Sequence, residues 1–447
     1  MIYKYMFKEN HIVMDVNSGA VHVVDKIIYD VLDYYEEEDT SSIINLLENI
    51  YAEAEVRDAI EEISILVKTG LLFTDDSHIT PDMFEKKEPI VKAICLHVAH
   101  DCNMSCQYCF GDQGAFEGDR TLMSFETGQK AIDFLFKNSG SRRNLEIDFF
   151  GGEPLMNFDV VKELVAYGRK HETEQNKSIR FTITTNGLLL DDAKMDFINE
   201  HMDNVILSID GRPAVNDHMR KTLNGQGTYA VIVKNYKKFI KKRKGLYYVR
   251  GTFTRENLDF SQDVKHLVEN GFRNVSIEPV VLNKAISFAL QDSDLKRILS
   301  EYDKLADLYL DYAKKGKEFA FFHFKIDLEQ GPCIIKRLSG CGAGTEYMAI
   351  SPEGDLYPCH QFVGNKRFLI GNLYEAHCDN KLYDTFNSAH IYNKEACRKC
   401  WAKFYCSGGC HANAFNANGD IRKPYVLGCE MERKRVECAI GIKAELL

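Results

Sequence analysis

The sequence predicts an α/β chain built on a parallel sheet. Three observations carry this. Between residues 90 and about 315, strand-like and helix-like patterns alternate. Before them, a hairpin pattern is followed by helices. After them, from about 330, the chain is rich in cysteine and glycine turns and shows little periodicity.

Residues 1–85 form the first block. Ile12 to Val24 reads as two β-rich runs around an Asn17-Ser18-Gly19 turn, a hairpin signal. Helical patterns follow at about 25–35, 40–50 and 54–69. Gly70-Leu71-Leu72-Phe73 then reads as a short strand after a glycine stop. Hairpin, helices and strand in that order predict a small winged-helix-like unit. The acidic run Glu36 to Asp39 makes it a poor DNA binder. Glu85-Lys86-Lys87-Glu88-Pro89 reads as a linker.

In the second block the strand candidates are 91–98, 145–150, 179–185, 204–209, 246–253 and 274–281. Helical patterns lie between them, as at 125–138, 157–171 and 228–243, and a further one at about 293–315 closes the block. Such alternation implies βαβ units. In parallel α/β proteins the loops at the C-terminal strand ends build the site.

Composition narrows the function classes. The 447 residues suggest about three domains. The net charge of −10 argues against a general nucleic-acid binder. The basic run Lys237 to Lys244 follows a helical pattern and reads as a solvated helix end. No run approaches the ~20 apolar residues of a membrane span. Met1 to Lys8 lacks the layout of a signal peptide. A cytosolic chain follows, with no membrane partner. There, fourteen cysteines point to metal rather than to a disulfide framework.

The first chemical motif is Cys102-Asn103-Met104-Ser105-Cys106-Gln107-Tyr108-Cys109. Three thiolates can hold a four-iron, four-sulfur cluster and leave one iron open, since such clusters normally take four cysteines. Zinc with His97 or His100 is the alternative. The motif follows the first strand of its block, where a site is expected. At the next strand end comes Phe149-Phe150-Gly151-Gly152-Glu153-Pro154. Two glycines let backbone approach a ligand closely, and Glu153 offers a carboxylate to an ammonium group. Thr184 to Gly187 either presents polar groups or merely turns the chain. Ser208 and Asp210 end the fourth strand on one side by alternation. Asp210 serves a ligand or a turn. Arg220 pairs with a carboxylate or lies at the surface.

Ten of the fourteen cysteines lie from 330 onward, so metal rather than a large apolar core is expected to hold this segment. Cys341 is followed by twelve residues, Gly354, four residues and Cys359. Then come Cys397-x2-Cys400-x5-Cys406-x3-Cys410 and Cys429. Cys397-x2-Cys400 alone would suit a zinc ribbon. Cys95, Cys378 and Cys438 lie off the pattern and read as buried apolar residues.

With CxxxCxxC, an aromatic residue before its last cysteine, and Gly-Gly-Glu-Pro, the chain resembles radical S-adenosylmethionine (SAM) enzymes. The seven later cysteines resemble the SPASM extension of the peptide-modifying members. The whole chain is similar to maturases of six-cysteine (SCIFF) peptides, relatives of the sactipeptide synthases. The resemblance implies a partial (β/α)6 TIM-like barrel at 90–315, with a SPASM domain of two auxiliary clusters at 330–447. It also implies that residues 1–85 recognise a leader peptide, bound as an added strand.

Three [4Fe–4S] clusters and SAM are the implied cofactors. Cys102, Cys106 and Cys109 would hold the first cluster. Tyr108, Gly151, Gly152, Glu153, Pro154, Ser208, Asp210 and Arg220 would contact SAM, with Ile277 and Glu278 near its adenine. Cys397, Cys400, Cys406 and Cys429 would hold the second auxiliary cluster, and Cys341, Cys359 and Cys410 the first. The fourth ligand of that first auxiliary cluster is either Cys333 or nothing from the protein. An open iron there would take a cysteine thiolate of the substrate.

The implied reaction is reductive cleavage of SAM to methionine and a 5′-deoxyadenosyl radical. That radical takes hydrogen from an acceptor residue, often threonine, and a thioether bond to the substrate sulfur follows. A reduced electron donor and a precursor peptide are the implied partners. Other members fit parts of the pattern. A sulfatase-maturing enzyme shares the triplet and SPASM but would not need residues 1–85, and normally carries an eighth cluster cysteine. A carbon–carbon peptide cyclase is another reading, and a zinc-and-peptide scaffold without catalysis is a third.

Overall fold

Ile2–Phe7 (β1), Asn10–Asp15 (β2) and Val21–Val24 (β3) form a three-stranded antiparallel sheet in the order β1-β2-β3. This is a computed structural model that describes residues 1–79, 81–84, 90–328, 334–375 and 380–447. The expected linker 85–89, Cys333 and Cys378 lie outside the described residues. Strand β1 falls where the sequence reading placed no element. Its Tyr3 ring stacks on Trp401, centroids 3.9 Å apart, and its Tyr5 hydroxyl donates to the Glu437 carbonyl at 3.0 Å. The strand thus gains its stability from distant partners as well as from β2.

The helices Lys26–Val31, Thr40–Leu47 and Glu53–Lys68 follow near the expected positions. Asp39 caps the second of them by accepting from the Ser42 N–H at 2.9 Å. Ile28, Val31, Ile43, Leu47, Val56 and Ile63 close a separate small core over Val13. The expected strand at 70–73 does not form. Phe73 has a left-handed φ of 53°, and the Leu71 N–H returns to the Leu66 carbonyl at 2.9 Å. The segment is a helix stop that turns the chain.

The remaining strands are β4 (Ala93–Ala99), β5 (Met104–Cys106), β6 (Asn144–Gly151), β7 (Ser178–Thr185), β8 (Asn204–Ser208), β9 (Arg220–Thr222), β10 (Leu246–Phe253), β11 (Asn274–Pro279), β12 (Ala320–Phe321), β13 (Tyr347–Ile350), β14 (Asp355–Tyr357) and β15 (Gly371–Asn372). Ten of them make one sheet in the order β12-β11-β10-β8-β7-β6-β4-β13-β14-β15. From β12 to β4 all neighbours are parallel and follow chain order. Helices such as Phe125–Asn138, Phe158–Glu172 and Tyr229–Lys242 connect them. This is the expected α/β arrangement of six main strands, with the two-residue β12 added at one edge. All seven residues of β4 are buried, as a strand covered on both faces should be.

Residues from 330 onward do more than wrap metal. Strand β13 pairs parallel with β4, and β14 and β15 extend it as an antiparallel meander. The helix Val426–Glu445 sends Met431, Val436 and Ile440 into the main core. The expectation that this region lacks a large apolar core is therefore corrected. The helix lies between the helix Leu295–Lys314 and the N-terminal sheet. Two covered faces blur the single apolar stripe on which a sequence reading depends. Cys95 and Cys438 are buried, as expected. Among the described residues no helix is long and apolar enough to cross a membrane.

Candidate active site

The cysteine triplet hangs from the C-terminal end of β4 and is held by a partner more than a hundred residues away. Strand β5 pairs antiparallel with β9, placing Cys106 opposite Arg220. The Gln107 N–H donates to the Met219 carbonyl at 2.9 Å. The Asn186 amide donates to Cys102 Sγ at 3.7 Å and to Asn103 Oδ1 at 2.8 Å. Thr184 to Gly187 is therefore more than a turn. Burial pushes the Cys102 thiol up to about 12 and the Cys106 thiol up to about 11. Such sulfurs ionise only when a metal supplies positive charge.

Gly151 and Gly152 press against this loop. An added Cβ at either would lie 2.2 Å from a carbonyl oxygen, that of Ala99 or of Asp101. The Gly152 N–H donates to Ala99 at 2.8 Å and the Glu153 N–H to Asp101 at 2.9 Å. The neighbour these glycines admit is thus the protein's own backbone, where the sequence reading expected a ligand. Glu153 is fully buried. Its carboxylate accepts from the Leu155 N–H at 3.1 Å, the Thr185 hydroxyl at 2.7 Å and the Asn186 N–H at 2.7 Å. The first of these caps the short helix Pro154–Asn157. A carboxylate has about four acceptor positions, so room for one further donor remains. Burial lifts its pKa to about 7 against those bonds.

A second buried group adjoins the triplet. The Tyr108 hydroxyl donates to Asp210, 2.8 and 2.7 Å from its two oxygens. Arg220 donates to that hydroxyl at 3.0 Å and lies 3.8 Å from Asp210. Arg220 is 7% exposed, which removes the surface reading. Burial works against its charge, but Tyr108, Cys106 and Asp210 hold its pKa well above the usual value. Its Nε is buried without a partner among the described residues. The Thr252 N–H also reaches Asp210, at 3.1 Å. Ser208 ends β8, its carbonyl accepting from the Tyr236 hydroxyl at 3.1 Å. Glu278 on β11 meets His323 at 3.1 Å and Arg250 at 3.5 Å. Burial opposes its charge, but His323 and Arg250 outweigh that and hold its pKa well below the carboxylate range. Ile277 beside it is buried.

The seven later cysteines fall into two groups by mutual electrostatic reach. Cys359 senses Cys410 and Cys341, and Cys410 senses Cys341. Cys406 senses Cys429, Cys397 and Cys400. Arg433 Nη1 donates to Cys400 Sγ at 3.7 Å. Among the described residues no three His, Cys, Asp or Glu side chains converge on one point as a single ion would require; a four-iron cluster spreads its cysteines more widely. The residues fit the implied cofactors. Sulfurs gather as two triads and a tetrad, N–H groups point at two of them, and an orphaned guanidinium nitrogen is buried beside the first triad.

Comparison with known proteins agrees. A model of a 4Fe-4S single cluster domain matches residues 92–234. A model of the SPASM iron-sulfur cluster-binding domain matches residues 341–401. The chain is similar to the radical SAM cyclopropyl synthase TigE of Paramaledivibacter caminithermalis, with 25% identity over 88% of this chain and 84% of that one. It is also similar to a cysteine-type anaerobic sulfatase-maturating enzyme of Clostridium perfringens, with 26% identity over 72% of this chain and 89% of that one. Its fold is like that of anSMEcpe with bound AdoMet, with TM-score 0.66 and 20% identity over 79% of this chain and 98% of that one. It is also like that of Streptococcus suis SuiB bound to S-adenosylmethionine, with TM-score 0.55 and 17% identity over 96% of this chain and 98% of that one. The chain thus carries a match to the SPASM domain at 341–401 and is similar over most of its length to radical SAM enzymes.

Proposed function

We propose that this enzyme joins a cysteine sulfur to an acceptor carbon, that of threonine by resemblance, in a ribosomally made, cysteine-rich peptide. The observation that carries this reading is the grouping of the seven later cysteines as a tetrad and a triad. Among the described residues the triad leaves one position, for Cys333, which lies outside them, or for a thiolate from the substrate, and we adopt the second reading. Cys341 and Cys410 of that triad are exposed, so a peptide has a route to it.

In this reading the ten cysteines hold three [4Fe–4S] clusters. Tyr108, Glu153, Pro154, Ser208, Asp210 and Arg220 hold SAM around the first of them, and Gly151 and Gly152 position Glu153 by packing on the Ala99 and Asp101 backbone. Arg220 Nε offers a donor to a ligand carboxylate, and the remaining acceptor position of Glu153 suits an ammonium. When bound, SAM and the reduced cluster supply the radical that abstracts hydrogen; the protein's part is to position peptide and cofactor and exclude water. The peptide loses one hydrogen atom to the SAM-derived fragment. It loses a further proton from the thiol and an electron, taken up at an auxiliary site.

Residues 1–85 would hold the leader, 90–315 the radical chemistry and 330–447 the auxiliary clusters, in a cytoplasmic enzyme served by a reduced electron donor. Strand β3 is the edge of the N-terminal sheet away from β1, which suits an added strand. In fold, the anSMEcpe likeness spans 79% of this chain, whereas the SuiB likeness spans 96%. That difference favours a peptide maturase over a sulfatase-maturing enzyme. The likeness to TigE favours a second reading, carbon–carbon closure within a peptide.

Mass spectrometry of a cysteine-rich peptide encoded beside this gene separates the readings. A loss of two hydrogens per event, together with one thiol lost to alkylation, is expected for a thioether. Carbon–carbon closure loses two hydrogens and spares the thiol. Iron near 12 per chain is expected for three clusters, and zinc in its place would overturn the reading.

A further inference from the structure

Lys394 is a buried lysine: burial works against its charge, and the sulfurs of Cys397, Cys406, Cys410 and Cys429 work for it. Its side chain is among the largest fully buried ones in the chain. Its ammonium donates to the Gly408 carbonyl at 2.9 Å. Within its electrostatic reach lie Cys397, Cys406 and Cys429 of the tetrad, and Cys410 of the triad. Among the described residues no carboxylate forms an ion pair with it. A desolvated ammonium is costly unless an opposite charge offsets it. Protonated thiols do not offset it, whereas cysteines ligated to iron are thiolates and do.

The backbone places Lys394 between the two groups. Ser407, Gly408 and Gly409 run through left-handed φ values of 55°, 85° and 74°. This tight run reverses the chain between Cys406, in the tetrad, and Cys410, in the triad. The bond to Gly408 therefore fixes Lys394 on the turn that carries one cysteine of each group. At the Cys102 triad the cation beside Cys106 is Arg220.

We propose that Lys394 is the shared counter-charge of the two auxiliary cluster sites and raises the reduction potential of both. This rests on the reading that the triad and the tetrad hold clusters. Cluster potentials depend on net charge, hydrogen bonds to sulfur and burial. A fixed cation favours the more negative, reduced state, and a low-dielectric site strengthens the effect. One lysine reaching both groups moves both potentials together.

The test is a potentiometric titration of the cluster-loaded chain, read by electron paramagnetic resonance. In Lys394→Met the reduced-to-oxidised ratio of the auxiliary sites should fall about tenfold at fixed ambient potential, a shift of ~59 mV for a one-electron couple. The signal of the Cys102 site should not move. Lys394→Arg should stay within about twofold of the parent ratio, because the charge is kept. An unchanged ratio in Lys394→Met, or an equal fall in Lys394→Arg, overturns the proposal. If Lys394→Met fails to hold iron, Lys394→Gln, which can still donate to Gly408, takes its place. Iron lost from the Met and Gln variants but kept by Arg supports a required charge. Iron lost from all three assigns Lys394 a packing role and overturns the proposal. Zinc in place of iron in the parent chain would instead overturn the cluster reading beneath it.

Discussion

Arg220 donates to the Tyr108 hydroxyl at 3.0 Å, and that hydroxyl bridges both oxygens of Asp210. The pair Tyr108–Arg220 spans 112 positions of sequence, closed by the β5–β9 ribbon. Arg220→Ala would leave the fully buried Asp210 without its cation. A loss of about 3–5 kcal/mol in unfolding free energy is expected, the cost of stranding a buried charge. Tyr108→Phe removes one donor to the carboxylate and should cost about 1.5–3 kcal/mol. Urea denaturation measures both. A change below ~1 kcal/mol for Arg220→Ala would show that the guanidinium is solvated.

Gly152 offers a steric test of how the two motifs are bound together. An alanine Cβ there would sit 2.2 Å from the Asp101 carbonyl oxygen, and backbone must move to relieve it. Gly152→Ala should destabilise the chain by about 3 kcal/mol, the upper end of ordinary overpacking. Iron bound at the Cys102 site should fall as well, because Asp101 precedes Cys102. Thermal unfolding with iron analysis reads both effects, and retention of full iron at unchanged melting temperature would contradict the contact.

The three cysteine groups predict separable losses. Cys106→Ala should abolish release of 5′-deoxyadenosine from SAM. Cys400→Ala should leave that release measurable while abolishing the crosslinked peptide. Chromatography of nucleoside products beside peptide mass spectrometry distinguishes them. Continued 5′-deoxyadenosine release by Cys106→Ala would show that the triplet is not the SAM site.

Asp148 on β6 carries a pH dependence. Burial, with a smaller contribution from Glu146, lifts its pKa to about 7 from an ordinary value of 3.8, against a hydrogen bond from Thr182. A carboxyl raised in the folded state stabilises below its unfolded pKa, and that contribution is lost as pH rises through the folded value. The parent chain should therefore lose about 1.4 kcal/mol of stability per pH unit between pH 5 and 7 from this group. Asp148→Asn should remove that slope and be the more stable form at pH 8. Denaturant unfolding of both chains across that range checks it, and parallel curves would show that Asp148 is ionised when folded.

Much of the fold was legible because its signals are local. Strand and helix periods read directly from neighbouring residues, so the six main strands and most helices fell within a few positions of expectation. The misses have tertiary causes. Strand β1 depends on Trp401 and Glu437, more than 390 positions away. The C-terminal helix hid its period because two partners cover it. The segment 70–73 had strand-like composition, but Phe73 turns left-handed and the chain reverses.

The sequence by itself determined the chemistry. Cysteine spacing within eight residues and the later cysteine pattern mark metal sites, because short spacings limit which ligands one site can gather; the choice of iron–sulfur clusters and SAM over zinc came from the resemblance of these motifs, with Gly-Gly-Glu-Pro, to radical SAM enzymes. Tertiary structure alone decided which groups meet. It set Glu153 among Thr185 and Asn186, closed Tyr108 onto Asp210 and Arg220, and buried Lys394 between two cysteine groups. Those contacts join segments tens to hundreds of residues apart. Strand order and the burial of charge in a shared core select them, and no local spacing records either.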